Sequence, residues 1–169
     1  MAFRTAKLVE VDIDAIVHHR RTMFQEMGYR DERALDSMSA RFRPWLGRKM
    51  EAGEYRAWFA LAPDSTIAAG LGLWLMDWPP HMVAAGQWRG NILNVYTEPE
   101  HRRRGMARAL MQIALEWCAT NQVDAVILHA SVEGSALYES LGFTPTNEMR
   151  LITPIRPGTP VPSRAAELL

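Results

Sequence analysis

The sequence predicts an α/β (α+β) fold in which helices flank one mixed central sheet. Three observations predict it. Residues 91–130 run strand, turn, helix, strand, the order of a single crossover unit. Residues 55–76 read as two apolar strands joined by Pro63-Asp64-Ser65, an antiparallel hairpin. Residues 11–50 place apolar side chains three and four apart, the pattern of amphipathic helices.

Each element follows in order. Residues 3–9 open the chain as a strand. A helix begins at residues 11–14, with Asp12 as a candidate cap. It carries Ile16, Val17, Arg20, Met23, Phe24 and Met27 at helical spacing and closes at Gly28. Residues 31–50 form a second helix with Leu35, Met38, Phe42, Leu46 and Met50 on one side; Pro44 marks a break or a first turn. Strands are expected at 55–62 and 66–76, a loop at 77–89 and a central strand at 90–97. Residues 105–119 are amphipathic, with Met106, Leu110, Ile113, Ala114 and Trp117 on one stripe. Residues 124–130 give the next strand, and a last strand at 148–152 completes a single domain over 1–153. Four prolines after Thr153 predict an extended tail over 154–169.

Composition bounds the function. A chain of 169 residues, 48% hydrophobic, is one domain with a real core. A formal net charge of +0 and a pI near 7.0 give no global basic excess for nucleic acid. No run is long enough for a membrane span, and the N-terminus lacks a signal peptide, so a cytoplasmic location is expected. Cys118, the one cysteine, reads as a small core residue.

The most informative stretch is residues 91–107. It ends a strand, turns through Pro99, passes Arg102, Arg103 and Arg104, reaches Gly105, and starts a helix at Met106 and Ala107. The first N–H groups of a helix have no intrahelical partner and lie at the positive end of its dipole. Gly105 removes the side chain that would hold a phosphate away. A pyrophosphate is the natural ligand. The segment is neither a P-loop nor a dinucleotide fingerprint, since both glycine patterns are missing.

Arg102-x-x-Gly105-x-Ala107 resembles the acyl-CoA motif of the GNAT superfamily of N-acetyltransferases. About thirty residues on, Leu137-Tyr138-Glu139-x-Leu141-Gly142-Phe143 resembles the second motif of that superfamily. Both stand in the right order and spacing. The resemblance implies a GNAT-like, mostly antiparallel sheet with a V-shaped splay between residues 91–97 and 124–130. It also implies transfer of an acetyl group from acetyl-CoA to a primary amine of a small molecule or peptide, by direct attack in a ternary complex. No metal is needed. The partners expected are acetyl-CoA, an unidentified amine acceptor and, at most, a second copy of the chain.

The resemblance also assigns candidate residues. The Val95 amide is the donor for the acetyl oxygen, with Val95, Tyr96 and Thr97 along the pantetheine arm. Arg102, Arg103, Arg104, Gly105, Met106 and Ala107 hold the phosphates. Tyr138 is the acid for the leaving thiolate, and its alternative is a packed core tyrosine. Ser131 stands where many members carry an asparagine on the pantetheine; its alternative is a helix cap. For the base, Glu26 is the chosen candidate, beside His129, Glu98 and a water chain. His18 and His19 read as a solvated pair, and His81 and His101 as loop and turn surface. Trp74, Trp78, Trp88, Tyr29 and Phe24 are candidates for an acceptor pocket, with Glu26 or Asp77 suiting a cationic body. Two rival functions stay open: an acyl-CoA sensor without turnover, and a transferase for a longer acyl group seated near Leu93, Val95 and Leu128.

Overall fold

The structure, a computed structural model, describes residues 1–82 and 84–151. Strand β1 (Ala2–Thr5) precedes helices α1 (Glu10–Glu26) and α2 (Glu32–Glu51). Strands β2 (Tyr55–Leu61), β3 (Ile67–Asp77) and β4 (Trp88–Thr97) follow. A 3-10 turn at Pro99–His101 leads to α3 (Met106–Thr120), β5 (Ala125–Leu128) and the short α4 (Ser135–Glu139). The strands form one sheet in the order β1-β2-β3-β4-β5, antiparallel as far as β4 and parallel between β4 and β5.

Alternation along β2 sorts the core into two layers. Tyr55, Ala57 and Phe59 join Ile16, Phe42 and Leu46 beneath α1 and α2. Trp58 and Ala60 join Leu110, Met111 and Ala114 beneath α3, with Leu71, Leu73 and Ile92. The helices therefore cover opposite faces of the sheet.

The helix ends have local causes. Gly28, at φ +96°, lets the Tyr29 N–H reach back to the Phe24 carbonyl at 3.1 Å and closes α1. Asp31 caps α2 by accepting from the Ala34 N–H at 3.1 Å. The start of α1 differs from the expectation. Its cap position is Val9, and Asp12 lies inside the helix, fully buried. Asp12 accepts from both Arg4 terminal nitrogens at 2.7 and 2.6 Å and from the Lys7 N–H at 2.7 Å. It pins β1 to α1 instead of capping. Pro44 does not break α2, which runs through it; Pro44 and Ala40, whose carbonyl loses its partner, are both exposed, so water satisfies that carbonyl.

The strands also differ in extent, and β5 covers only Ala125–Leu128 of the expected 124–130. Strand β1 stops at Thr5, because the Asp12 contacts bend the chain at Lys7. Trp88 and Arg89 belong to β4, since Trp88 pairs with Asp77 and Arg89 with Met76. No strand forms over residues 148–151, where Met149 and Leu151 are almost fully exposed and offer no buried face. Ile152 and the expected tail over 154–169 lie outside the described residues.

The β4–β5 pairing is short. It covers only Arg89↔Ala125 to Ile92↔Leu128. Strand β4 continues five residues further, to Thr97, with no β5 partner. The sheet forks at that point.

Candidate active site

A β-bulge creates the local geometry at the fork. Gly70 pairs with Tyr96 and Gly72 with Leu93, so Asn94 and Val95 together oppose Leu71 alone. Asn94 adopts φ +55°, a left-handed conformation that asparagine tolerates better than most residues. Its buried side chain is held on both sides. Arg20 Nη1 donates to Asn94 Oδ1 at 2.8 Å, and Asn94 Nδ2 donates to the Tyr55 hydroxyl at 3.1 Å.

Two glycines make room for this. A Cβ on Gly70 would stand 2.7 Å from His19 Nδ1, and one on Gly72 would stand 2.6 Å from Tyr55 Cζ. The alternating glycines Gly70 and Gly72 are the signal in the sequence that points here, because glycine inside a strand marks a bulge or a close approach. Asn94, Arg20 and His19 escaped the sequence reading of the site.

Strand β4 presents an open edge beyond the bulge. The Glu98 N–H donates to the Ala68 carbonyl at 2.9 Å, toward β3. Successive N–H groups of a regular strand alternate sides, so that of Thr97 faces the fork. The side chains of Val95, Leu128 and Tyr138 all pack against the core layer under α3.

The arginine turn offers backbone donors. Arg103 sits at φ +60° and Gly105 at φ +79°. Such alternation turns successive N–H groups inward into an anion-binding nest. No side chain caps α3. The N–H groups of residues 103–108 have no hydrogen-bond partner among the described residues. A Cβ built on Gly105 meets nothing within 4 Å, so the approach is open. Arg103 and Arg104 are exposed. Arg102 is engaged elsewhere: Nη2 donates to Glu26 Oε1 and Oε2 at 2.6 and 2.8 Å, and Nε donates to the Thr97 carbonyl at 2.9 Å.

Glu26 is thereby committed. Both its oxygens accept from Arg102, and Oε1 also accepts from the Tyr96 hydroxyl at 3.1 Å. Burial, reinforced by Glu26, pushes the Tyr96 phenol up to about 12.

Tyr138 lies on α4 with its ring edge-on to Phe143, centroids 6.1 Å apart. Its hydroxyl makes no hydrogen bond among the described residues, and burial raises its pKa. A Cβ on Gly134 would stand 2.8 Å from this ring. The Ser131 hydroxyl accepts from the Gly134 N–H at 3.2 Å, a capping contact beside that turn.

The histidines divide. His18 is exposed, but His19 is not its solvated twin: it is buried, 5.2 Å from the Tyr96 ring, and burial pushes its imidazole down to about 4. Its nitrogen lies 3.5 Å from Glu98. His101 is half-buried and His129 exposed, 3.8 Å from Glu148. Cys118 is buried, which pushes its thiol up to about 11. The aromatic candidates separate as well. Phe24 and Trp74 lie on the α1/α2 side, and Tyr29 packs edge-on to Phe24. Trp88 packs on the α3 side, away from that group, and Trp78 is exposed over Arg89.

Residues 13–143 match the model of the acetyltransferase (GNAT) family. The chain belongs to the GNAT acetyltransferase family. A GCN5-related N-acetyltransferase from Ralstonia eutropha JMP134 is 36% identical, with a TM-score of 0.82 over 91% of this chain and 97% of that one. A predicted acetyltransferase from Clostridium acetobutylicum, solved with acetyl-CoA, shares the fold at 23% identity and a TM-score of 0.79, over 90% and 95% of the two chains. A transcriptional regulator from Bacillus halodurans C-125 shares it at 20% identity and a TM-score of 0.67, over 90% and 98%. No curated protein sequence matches. The five-stranded, mostly antiparallel sheet is thus a GNAT sheet, as its motifs imply. Among the described residues no cluster of three or more His, Cys, Asp or Glu side chains could hold a metal ion, and no helix is long and apolar enough to cross a membrane.

Proposed function

We propose that this GNAT chain transfers an acetyl group from acetyl-CoA to a primary amine by direct attack in a ternary complex. One observation carries the reading: the unpartnered N–H groups of residues 103–108 and the unpaired β4 edge meet at the same end of the sheet. A diphosphate fits the first and an extended amide-bearing arm fits the second. Arg103 and Arg104 supply positive charge there, while Arg102 holds the turn against α1.

Acetyl-CoA supplies the activated acyl carbon and the thiolate leaving group. The residues of the chain do the rest. The Val95 N–H donates to the carbonyl oxygen as charge gathers on it. The amine nitrogen bonds to the acyl carbon and the carbon–sulfur bond breaks. The amine gives one proton to water, since both Glu26 oxygens are engaged. Tyr138 gives its hydroxyl proton to the sulfur and regains one from solvent. Burial that raises the phenol keeps this proton in place until a thiolate forms.

The test is thiol release from acetyl-CoA with purified chain and a panel of amines, amino acids and aminoglycosides, with the acetylated product detected by mass. Amine-dependent release is expected. Tight acetyl-CoA binding without release for any amine would make the chain a sensor.

A further inference from the structure

Among the basic side chains of α1 and α2, Arg20 is half-buried without an ion pair, as Arg89 is on β4. Arg4 pairs with Asp12, Arg21 with Glu32 and Asp36, Arg43 with Asp14, Lys49 with Glu54, and Arg102 with Glu26. Arg20 is half-buried, yet no carboxylate of the described residues lies within the 4.0 Å of an ion pair. Its guanidinium is held between the rings of Phe24 and Phe42, at 5.1 and 4.6 Å. Nη1 is spent on Asn94. Nε is buried without a partner; Nη2 makes no hydrogen bond either, but is not sealed from solvent. Burial lowers the Arg20 pKa, and no carboxylate of the described residues lies beside it to offset that cost. Nη2 is thus a free donor on a half-buried charged group that has no ion-pair partner among the described residues.

Its position supplies one. Asn94, which Arg20 grips, is the residue before Val95. If the thioester lies along the fork with Tyr138 on the α3 side, the nucleophile arrives from the α1/α2 side. Arg20 is the charged group waiting there. We infer that the acceptor is an amino carboxylate, an amine with a carboxylate close to it, and that Arg20 Nη2 anchors this carboxylate while Phe24 and Phe42 flank it. This rests on the acetyl-transfer reading and adds the substrate class. The planar guanidinium, already fixed by two rings and Asn94, is preorganised for a carboxylate and loses little freedom on binding it.

The test compares apolar amino acids (leucine, methionine, phenylalanine) with their amides, with the corresponding amines lacking the carboxylate, and with an aminoalkyl phosphate. It uses the full chain with acetyl-CoA and reads thiol release. The amino acids should exceed the amides and amines at least tenfold in kcat/KM. Arg20→Gln should raise KM for the acids at least tenfold, with a smaller fall in kcat; Arg20→Lys should recover part of the loss. Equal turnover of acids and amides overturns the inference while leaving acetyl transfer intact. A preference for the phosphate overturns the carboxylate assignment. If no amine is acetylated, calorimetric titration of the unaltered chain with leucine and its amide decides: carboxylate-selective binding supports the anchor even as the transfer reading fails, and its absence overturns the anchor. The acid-versus-amide comparison needs no variant, so a misfolded Arg20→Gln cannot rescue the inference.

Discussion

The Tyr55 ring on β2 crosses β3 through the space that Gly72 leaves empty and meets Asn94 on β4. A Cβ on Gly72 would stand 2.6 Å from Tyr55 Cζ and inside contact distance of its hydroxyl. That hydroxyl accepts from Asn94, so the missing side chain on β3 sets the bulge on β4. Gly72→Ala should therefore destabilise the fold by about 1–3 kcal/mol, the usual cost of overpacking a tight site. Urea denaturation checks this; an unchanged midpoint would mean that Tyr55 moves aside freely.

Gly105→Val tests the anion nest. At φ +79° any β-branched side chain is strained, by about 1–2 kcal/mol, and its bulk would stand in the open approach. The acetyl-CoA dissociation constant should rise at least tenfold, about 1.4 kcal/mol. Calorimetry on the folded variant reads it, and an unchanged constant would move the phosphates elsewhere.

Tyr138→Phe keeps the ring against Phe143 and loses only the hydroxyl. The turnover number should fall by about two to four orders of magnitude, with acetyl-CoA binding nearly unchanged. Turnover close to that of the unaltered chain would leave Tyr138 a packing residue and solvent the acid.

Glu26→Gln separates ion-pair holder from base. Both partners of the Glu26–Arg102 pair are exposed at roughly two-fifths of their side-chain surface, so stability should change by no more than about 1 kcal/mol. Turnover should fall less than about tenfold if water takes the amine proton. A fall of about two orders of magnitude or more, with loss of the acidic limb of the pH–rate profile, would restore Glu26 as the base.

His19 gives the fold a pH dependence with a definite sign. Its folded-state value of about 4 lies below the ordinary 6.5. Between these values the unfolded chain binds the extra proton, so stability falls as pH drops from about 6.5 to about 4. The contribution is complete above this window and on the order of 3 kcal/mol. Glu98, His18 and the Tyr96 ring are its neighbours. Denaturant midpoints across this range should slope upward with pH, and His19→Asn should flatten the slope.

The sequence disclosed the elements that depend on local pattern. The Gly105 turn and the Leu137–Phe143 motif are written in consecutive residues, and periodicity located all three long helices. What it hid depends on partners far along the chain. Asp12 reads as a helix cap until Arg4 and Lys7 are seen to surround it. His19 reads as the solvated neighbour of His18 until Gly70 is seen to admit it to the interior. Arg20 and Asn94 are 74 residues apart, and no spacing rule joins them. The bulge left a trace only in Gly70 and Gly72, two glycines whose purpose lies on other elements.

The order of the strands across the sheet is their order along the chain. During synthesis from the N-terminus, each strand after β1 finds its neighbour already made. Strand β5 follows only after α3 has crossed the sheet, and it then zips only four residues. The cleft is thus the last part of the molecule to acquire its second wall. Until then the full length of β4 is a bare edge on the nascent chain, open to pairing with any extended peptide nearby. The length beyond Ile92, which we propose receives the acyl carrier, stays unpaired even after β5 arrives.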